Sequence, residues 1–413
     1  MQHKVMVTGM GIVSCLGSGL AANWEALEAG RSGIGPITLF DASRLETRIA
    51  GEAPSNFDPE GCVPKKELRR LDRYQQFSLV AAEQAVNDAG LQFPPEDPYR
   101  CGVVIGSGIG GLASLEEGFA NMIKRGPKGP HPLMILKVVI NLSAGLVSIK
   151  YGIKGPNFGI VNACTSGASG LGEAYRLVKE GRADLMIAGG TEAVITELAI
   201  AGFNRLRALS IRNDEPERAS RPFDLKRDGF VIAEGAGIMV LESEEHAKQR
   251  GARAHAEFVG YGSTGDAYHM VMPDPEAEAA TRTMQIAVED AEVDPSEVDY
   301  INAHGTSTDL NDAMETLAIK KLLGSKANDV AISSTKSMTG HMIGAAGAAE
   351  AIFSIMAMKK GVVPPTINLE NPDPQCNLDY TPNKAVARKI DYALSNSFAF
   401  GGQNASLLFK RLG

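Results

Sequence analysis

Three side chains in this 413-residue chain sit in settings suited to nucleophilic and acid–base chemistry. Cys164 lies in V-N-A-C-T-S-G-A-S-G (161–170), His304 in N-A-H-G-T-S-T and His341 in K-S-M-T-G-H-M-I-G. A free thiol is only weakly ionised at neutral pH, so a nucleophilic cysteine needs activation. A strand-to-helix turn would supply it, because unpaired backbone N–H groups and the positive end of the helix dipole favour thiolate. The small neighbours Ala163, Ser166, Gly167 and Ala168 would let a substrate and other backbones approach. Taken alone, the window fits an inert core thiol equally well, since buried cysteine is common. His304 and His341 each follow an apolar run and sit in a glycine-flanked polar turn, whereas His3, His131, His246 and His255 read as surface or satisfied core residues. Open α/β sheets place their sites at such strand exits. No third histidine or carboxylate stands at ligand spacing, so a metal site is not expected. A cysteine with two imidazoles points to acyl transfer through a thioester.

The elements that would position these groups repeat one plan: a β-branched run, a glycine- or serine-rich turn, then a helical pattern. C-G-V-V-I-G-S-G-I-G-G at 101–111 follows a helix-like stretch from Phe77 to Ala89. F-G-I-V-N-A at 158–163 leads into a helix over 165–179, where Leu171, Ala174, Tyr175 and Val178 recur at helical spacing. L-M-I-A-G-G at 185–190 is wholly apolar, as a strand covered on both faces must be. The plan returns in D-Y-I-N-A-H-G-T (299–306) with a helical pattern through Leu323. It returns again in V-A-I-S-S-T-K (330–336), ahead of an apolar helix spanning 342–358. This predicts α/β alternation with parallel-sheet character. The likeness of I-V-N-A-C-T-S to Y-I-N-A-H-G-T suggests two duplicated halves, joined at the charge-rich segment 242–255, which divides the chain into 1–252 and 253–413.

Bulk properties narrow the partners. The formal net charge of −8 argues against a general affinity for nucleic acid or anionic membrane. Five scattered cysteines with no C-x-x-C pair form neither a disulfide framework nor a zinc site, and fit a reducing cytoplasm. The N-terminal M-Q-H-K-V-M-V-T-G-M-G-I-V-S is broken by Thr8, Gly9 and Gly11, so it reads as a first strand rather than a signal peptide. The 342–358 run is short for a membrane span and rich in Ala and Gly, which suits a buried helix. No membrane insertion is expected.

A-C-T-S-G, N-A-H-G-T-S-T, S-S-T-K-S-M-T-G-H with the following G-A-A-G, P-P-T-I-N-L and N-S-F-x-F-G-G together resemble the β-ketoacyl-acyl carrier protein synthases, and among them the synthase II type of fatty-acid synthesis. The resemblance spans the chain from V-T-G-M-G to the last strand. It implies an α/β thiolase-like fold, a five-layered αβαβα sandwich from two similar halves, acting as a homodimer. It also implies an acyl chain carried on Cys164, and His304 and His341 binding the malonyl thioester as CO2 leaves. Backbone N–H groups of Cys164 and Phe400 would form the oxyanion hole. Lys336 would support the histidines, with Glu315 as its buried acidic partner. No organic cofactor is required, because phosphopantetheine arrives on the acyl carrier protein. A structural monovalent cation near Asn302, Glu350, Ser395 and Asn396 is the one ion implied.

The same resemblance assigns Thr306 and Thr308 to the phosphopantetheine arm, Phe400 to a gate, and Ile109 and Phe203 to the acyl pocket. An isoleucine at 109 favours longer chains. The basic run with Lys65, Lys66, Arg69, Arg70 and Arg73, together with Arg205 and Arg207, would dock the acidic carrier protein. Four departures bear on chain length: Ala399 and Gln403 in the gating loop, Asp309 where proline is common, and L-M-I-L-K-V-V at 133–139 beside the pocket. A thiolase would need a second catalytic cysteine in a glycine-rich turn, and Cys376 in D-P-Q-C-N-L-D is not in one. A synthase III type would carry asparagine at 341. A polyketide or specialised-lipid ketosynthase shares the Cys-His-His set. A non-condensing chain-length-factor-like subunit lacks the cysteine.

Overall fold

A computed structural model describes residues 2–54 and 57–413. Ten strands build the core: β1 (Val5–Ser14), β2 (Cys101–Gly106), β3 (Asn157–Ile160), β4 (Leu185–Glu192), β5 (Gly235–Ser243), β6 (Ala256–Gly265), β7 (Tyr300–Asn302), β8 (Ala331–Ser333), β9 (Tyr392–Phe398) and β10 (Gln403–Lys410). The first half has strand order β3-β2-β4-β5-β1 and the second β8-β7-β9-β10-β6, the same order shifted by five strands. In both, the first three strands of that order run parallel and the last two pair antiparallel. Each sheet is therefore mixed, where the alternating pattern alone predicts parallel character. The two sheets meet edge to edge where Val5–Val7 pairs with 256–258.

Six helices complete the layers: α1 (Arg73–Asp88), α2 (Asn141–Tyr151), α3 (Ser166–Lys179), α4 (Glu278–Asp290), α5 (Asp309–Leu323) and α6 (Ala346–Lys360). α1 and α2 cover the outer face of the first sheet, and α4 and α5 that of the second. α3 and α6 lie between the sheets, which gives the five-layered αβαβα sandwich. Alternation along each strand explains this partition. Val104, Met186, Ala188 and Met239 point to the central helices, while Val103, Ile105, Ile187 and Ile238 point to α1 and α2. Strands buried on both faces need unbroken apolar runs, hence the uniform burial of β2, β4 and β5. The helix expected over 342–358 is α6, which starts four residues later at Ala346, after the short turn Ile343–Ala345, and is buried along nearly its whole length. Among the described residues no helix is long and apolar enough to cross a membrane.

The duplication extends to single residues. A Cβ on Gly9 or Gly11 would lie 2.1 or 2.0 Å from the Ala85 or Ala81 carbonyl oxygen of α1. On β6, a Cβ on Gly260 or Gly262 would lie 1.9 Å from the Ala287 or Thr283 oxygen of α4. Each half thus seats its first helix on a G-x-G of its first strand. The strand order corrects one expectation about the repeat. Cys164 follows β3, whose counterpart is β8, so its equivalent stretch is 341–350 rather than the 300–306 segment. Ala163 and Ile343, both at φ 45°, begin matching short turns that lead into α3 and α6.

Candidate active site

Strand exits from both halves converge on one cavity of about 460 Å³. Cys164, His304, His341 and Phe400 all line it, as do Ile109, Phe203, Thr306, Thr308 and Arg207. Its apolar end is made by Ile109, Phe203, Phe230 and Ile343, and its polar margin by Arg207, Asp266, Asp309 and Asn311. The His304 and His341 rings are 5.3 Å apart and nearly perpendicular, at 87°. Phe230 meets His341 edge to face on one side and Phe203 on the other.

Cys164 sits in the short turn Ala163–Thr165 just before α3, and the left-handed Ala163 aims it into the cavity. Burial is the dominant influence on the thiol and pushes it up to about 12, against the Lys336 charge and the backbone N–H groups of Phe400 and Cys164. Burial thus disfavours the thiolate of Cys164, while Lys336 and those N–H groups favour it. Of the small residues around it, Ala163 lines the cavity. Gly167 and Ala168 instead pack against the head of α6, where a Cβ on Gly167 would lie 2.7 Å from the Gly344 oxygen.

Both imidazoles are buried, and burial together with the Lys336 charge holds them well below the usual histidine range, so they are neutral. Lys336 Nζ lies 3.4 Å from His304 Nδ1. An ammonium can only donate, so Nδ1 accepts and the His304 ring proton sits on Nε2. Glu315 is not the acidic partner of Lys336. It reaches back from α5 to accept the backbone N–H groups of His304 (2.9 Å) and Gly305 (2.8 Å), which fixes the turn carrying the imidazole. The carboxylate paired with Lys336 is Glu350, whose Oε1 accepts the ammonium deep in α6. Burial raises both Glu315 and Glu350 to about 7.

Phe400 belongs to a hairpin joining β9 to β10. Gly401 (φ 88°) and Gly402 (φ 79°) hold the left-handed positions, and Ala399 needs none. Gly401 N–H donates to the Met270 oxygen at 2.9 Å, and Asn404 Nδ2 to Asp266 at 2.6 Å, so the loop is latched to the 266–274 segment. Thr306 and Thr308 face each other across 2.9 Å at the cavity wall.

Other sequence-based expectations fall outside the cavity. Lys65, Lys66, Arg69 and Arg70 lie on and beside the exposed short helix Lys65–Leu68 and line none of it; Lys65 pairs with Glu60 and Arg70 with Glu67. Arg73 is bound to the buried Glu234 and is structural. The 133–139 segment also contributes no lining residue within one chain. Cys376 is buried away from the cavity. Two groups escaped sequence reading. Phe230 lies outside any motif, and Glu192 ends β4 as a fully buried acid whose oxygens take only backbone and hydroxyl donors. A buried acid with no cation partner leaves no spacing signal.

Residues 2–247 match the family model for the beta-ketoacyl synthase N-terminal domain, and residues 255–370 the model for its C-terminal domain. The chain belongs to the β-ketoacyl synthase family. This ketosynthase is 51% identical over 411 residues to the 3-oxoacyl-[acyl-carrier-protein] synthase 2 of Coxiella burnetii, covering 100% of this chain and 99% of that one. It is 50% identical to the protein of that name in Synechocystis, with 99% and 98% covered. Among solved structures, a beta-ketoacyl synthase from Burkholderia phymatum matches with a TM-score of 0.92 and 39% identity, covering 100% of both chains. A type II PKS acyl-carrier protein in complex with its ketosynthase matches at 0.93 and 37%, again covering 100% of both. The ketosynthase is thus a condensing acyltransferase of fatty-acid elongation with a thiolase-like fold.

Proposed function

We propose that the enzyme loads an acyl chain from acyl carrier protein onto Cys164 and condenses it with a malonyl thioester brought by a second carrier-protein molecule. The observation that carries this reading is the shared cavity of Cys164, His304, His341 and Phe400. In the first half-reaction the Cys164 sulfur attacks the acyl thioester carbon, and the carrier thiol departs with the cysteine's proton. The backbone N–H groups of Cys164 and Phe400 receive the tetrahedral oxyanion, and Lys336 stabilises negative charge on sulfur as the proton leaves. In the second, the His304 Nε2–H and the His341 ring hydrogen-bond the malonyl thioester oxygen. The C–C bond to the carboxylate breaks, CO2 leaves and its electrons form the enolate. The enolate carbon then attacks the acyl carbonyl and expels the Cys164 sulfur, giving 3-oxoacyl carrier protein. Neutral imidazoles suit this step, because they donate to the growing oxyanion without pairing with the carboxylate that must depart.

Phosphopantetheine lies along Thr306 and Thr308, Phe400 gates it, and Ile109 and Phe203 receive the acyl chain. Exposed cations at Lys65, Lys66, Arg69, Arg70 and Arg207 meet the carrier protein. A homodimer is supported by an apolar surface on the edge strand β3 and the neighbouring helices, with Phe119, Ile123, Ile135, Phe158 and Val161 all exposed. Sedimentation at micromolar concentration should return twice the chain mass of 43.7 kDa, and a monomer there refutes the dimer. Among the described residues Asn302 has no partner for either side-chain polar atom, nor has Ser395 Oγ or Glu350 Oε2, so these buried atoms fit a structural monovalent cation. Asn396 is already engaged with Glu315 and Ser406. The cytoplasm is the expected compartment, and the halves divide near 252.

The test is intact-mass detection of acyl-enzyme after incubation with carrier-protein thioesters from hexanoyl to palmitoyl. A covalent adduct on Cys164 with one or more saturated chains is expected. Failure with every saturated chain refutes a role in primary elongation and favours a specialised ketosynthase.

A further inference from the structure

Glu192 is a buried carboxylate beside the cavity to which neither half-reaction assigns a task. It ends β4 and is fully buried. Its Oε1 accepts the Ser107 hydroxyl at 2.9 Å and the backbone N–H groups of Ile109 and Gly110 at 3.3 Å. Its Oε2 accepts Gly108 N–H at 2.7 Å and Gly344 N–H at 3.0 Å. Four of the five donors belong to the loop after β2, which carries Ile109. The fifth, Gly344, follows Ile343 in the turn before α6, in the other half of the chain. Ile109 and Ile343 both line the apolar end of the cavity. The junction has no slack. A Cβ on Gly344 would lie 2.3 Å from Gly108 N and 2.7 Å from Glu192 Oε2. A Cβ on Gly108 would lie 2.9 Å from the same oxygen and 3.3 Å from the Ala163 oxygen, beside the nucleophile.

We propose that Glu192 is a positioning residue for chain length, clamping the Ile109 loop of one half to the Ile343 turn of the other and so holding open the apolar end of the acyl pocket. The proposal rests on reading this cavity as the acyl site. A carboxylate suits this point because both oxygens accept and neither carries a hydrogen; five donors share its roughly four lone-pair directions, with the Gly110 N–H divided between Glu192 and the Ser107 hydroxyl. An amide there would turn an NH2 group toward N–H donors and release one side of the clamp. Ile109 would then drift into the space that the distal carbons of a long chain need. A short chain stops before that point. His341 stays in place, because its own N–H donates to the Val231 oxygen at 2.7 Å and its oxygen accepts Ala233 N–H at 2.9 Å.

The experiment compares wild type, Glu192→Gln and Ser107→Ala for acyl loading across the hexanoyl-to-palmitoyl series and for malonyl decarboxylation. Glu192→Gln should lower palmitoyl loading by about tenfold or more, while hexanoyl loading and decarboxylation stay within about threefold of wild type. Ser107→Ala, which removes one donor, should show the same grading at about threefold for the longest chain. Equal loss at every length and in decarboxylation marks a merely structural role and overturns the proposal, as does no loss at all. Should Glu192→Gln not fold, the long-to-short ratio of Ser107→Ala decides alone: an unchanged ratio overturns the proposal. No loading of any saturated chain by wild type instead refutes primary elongation, the reading on which the proposal rests, and the proposal with it.

Discussion

Cys164→Ala should form no acyl-enzyme with any carrier thioester and lose condensation by roughly 10⁴-fold or more, the scale on which removing a catalytic nucleophile acts. The sulfur has no substitute: the other four cysteines line no part of the cavity. Malonyl decarboxylation, by contrast, should persist within about tenfold, because it needs an oxyanion site and a path for CO2 rather than a nucleophile. His304 keeps its tautomer from Lys336 and its turn from Glu315, and neither contact involves Cys164. Intact-mass analysis reads the first outcome and release of labelled CO2 the second. An acyl adduct on the variant, or condensation within tenfold of wild type, would sink the assignment.

Lys336→Met carries the second large effect, on chemistry and on stability. Without the ammonium, His304 Nδ1 loses its donor and the ring is free to take the opposite tautomer, in which Nε2 cannot donate. Decarboxylation should fall by roughly 10²-fold or more, the usual cost of one donor to a developing oxyanion. Glu350 meanwhile loses its ammonium partner, and breaking such a buried pair costs about 3–5 kcal/mol. The pH dependence has a definite sign. In the wild type burial already raises Glu350 to about 7 from the ordinary 4.5, so the folded state holds more protons than the unfolded state between those values. That protonation contributes stability at low pH, and the contribution is lost as pH rises through 7. Removal of Lys336 takes away an influence that lowers the Glu350 pKa. The variant's deficit should therefore be largest near pH 8.5 and shrink toward pH 6, as the lone carboxyl protonates. Denaturant melts at the two pH values check this. Decarboxylation within threefold of wild type, or a deficit that grows on acidification, contradicts it.

Much of this was legible without coordinates. Apolar runs ending in glycine- or serine-rich turns read as strands buried on both faces, because a strand between two helix layers has no polar side to show. The Cys-His-His set was legible because each member stands in a small-residue turn after such a run, His341 at a greater remove, beyond the short helix Lys336–Thr339. The duplication was legible only in outline. Its true register, with Cys164 opposite Gly344, is carried by strand order and by the paired left-handed residues Ala163 and Ile343. The G-x-G seats on β1 and β6 were in plain view in V-T-G-M-G and V-G-Y-G. They mean something only once α1 and α4 lie against them.

Residue type and local spacing by themselves determined the α/β alternation and singled out Cys164 and the two imidazoles as candidates, while the five layers and the residues' roles came from the family resemblance of their motifs. Tertiary structure decided what depends on desolvation and on contacts between distant segments. Glu350, not Glu315, pairs with Lys336 because α6 runs through the dry centre of the sandwich, where a lone ammonium cannot stay unpaired. The Cys164 thiol is pushed up because the fold buries it, a desolvation that no local motif records. Glu192 matters because two halves of the chain, 152 residues apart at that hydrogen bond, present their N–H groups to one carboxylate.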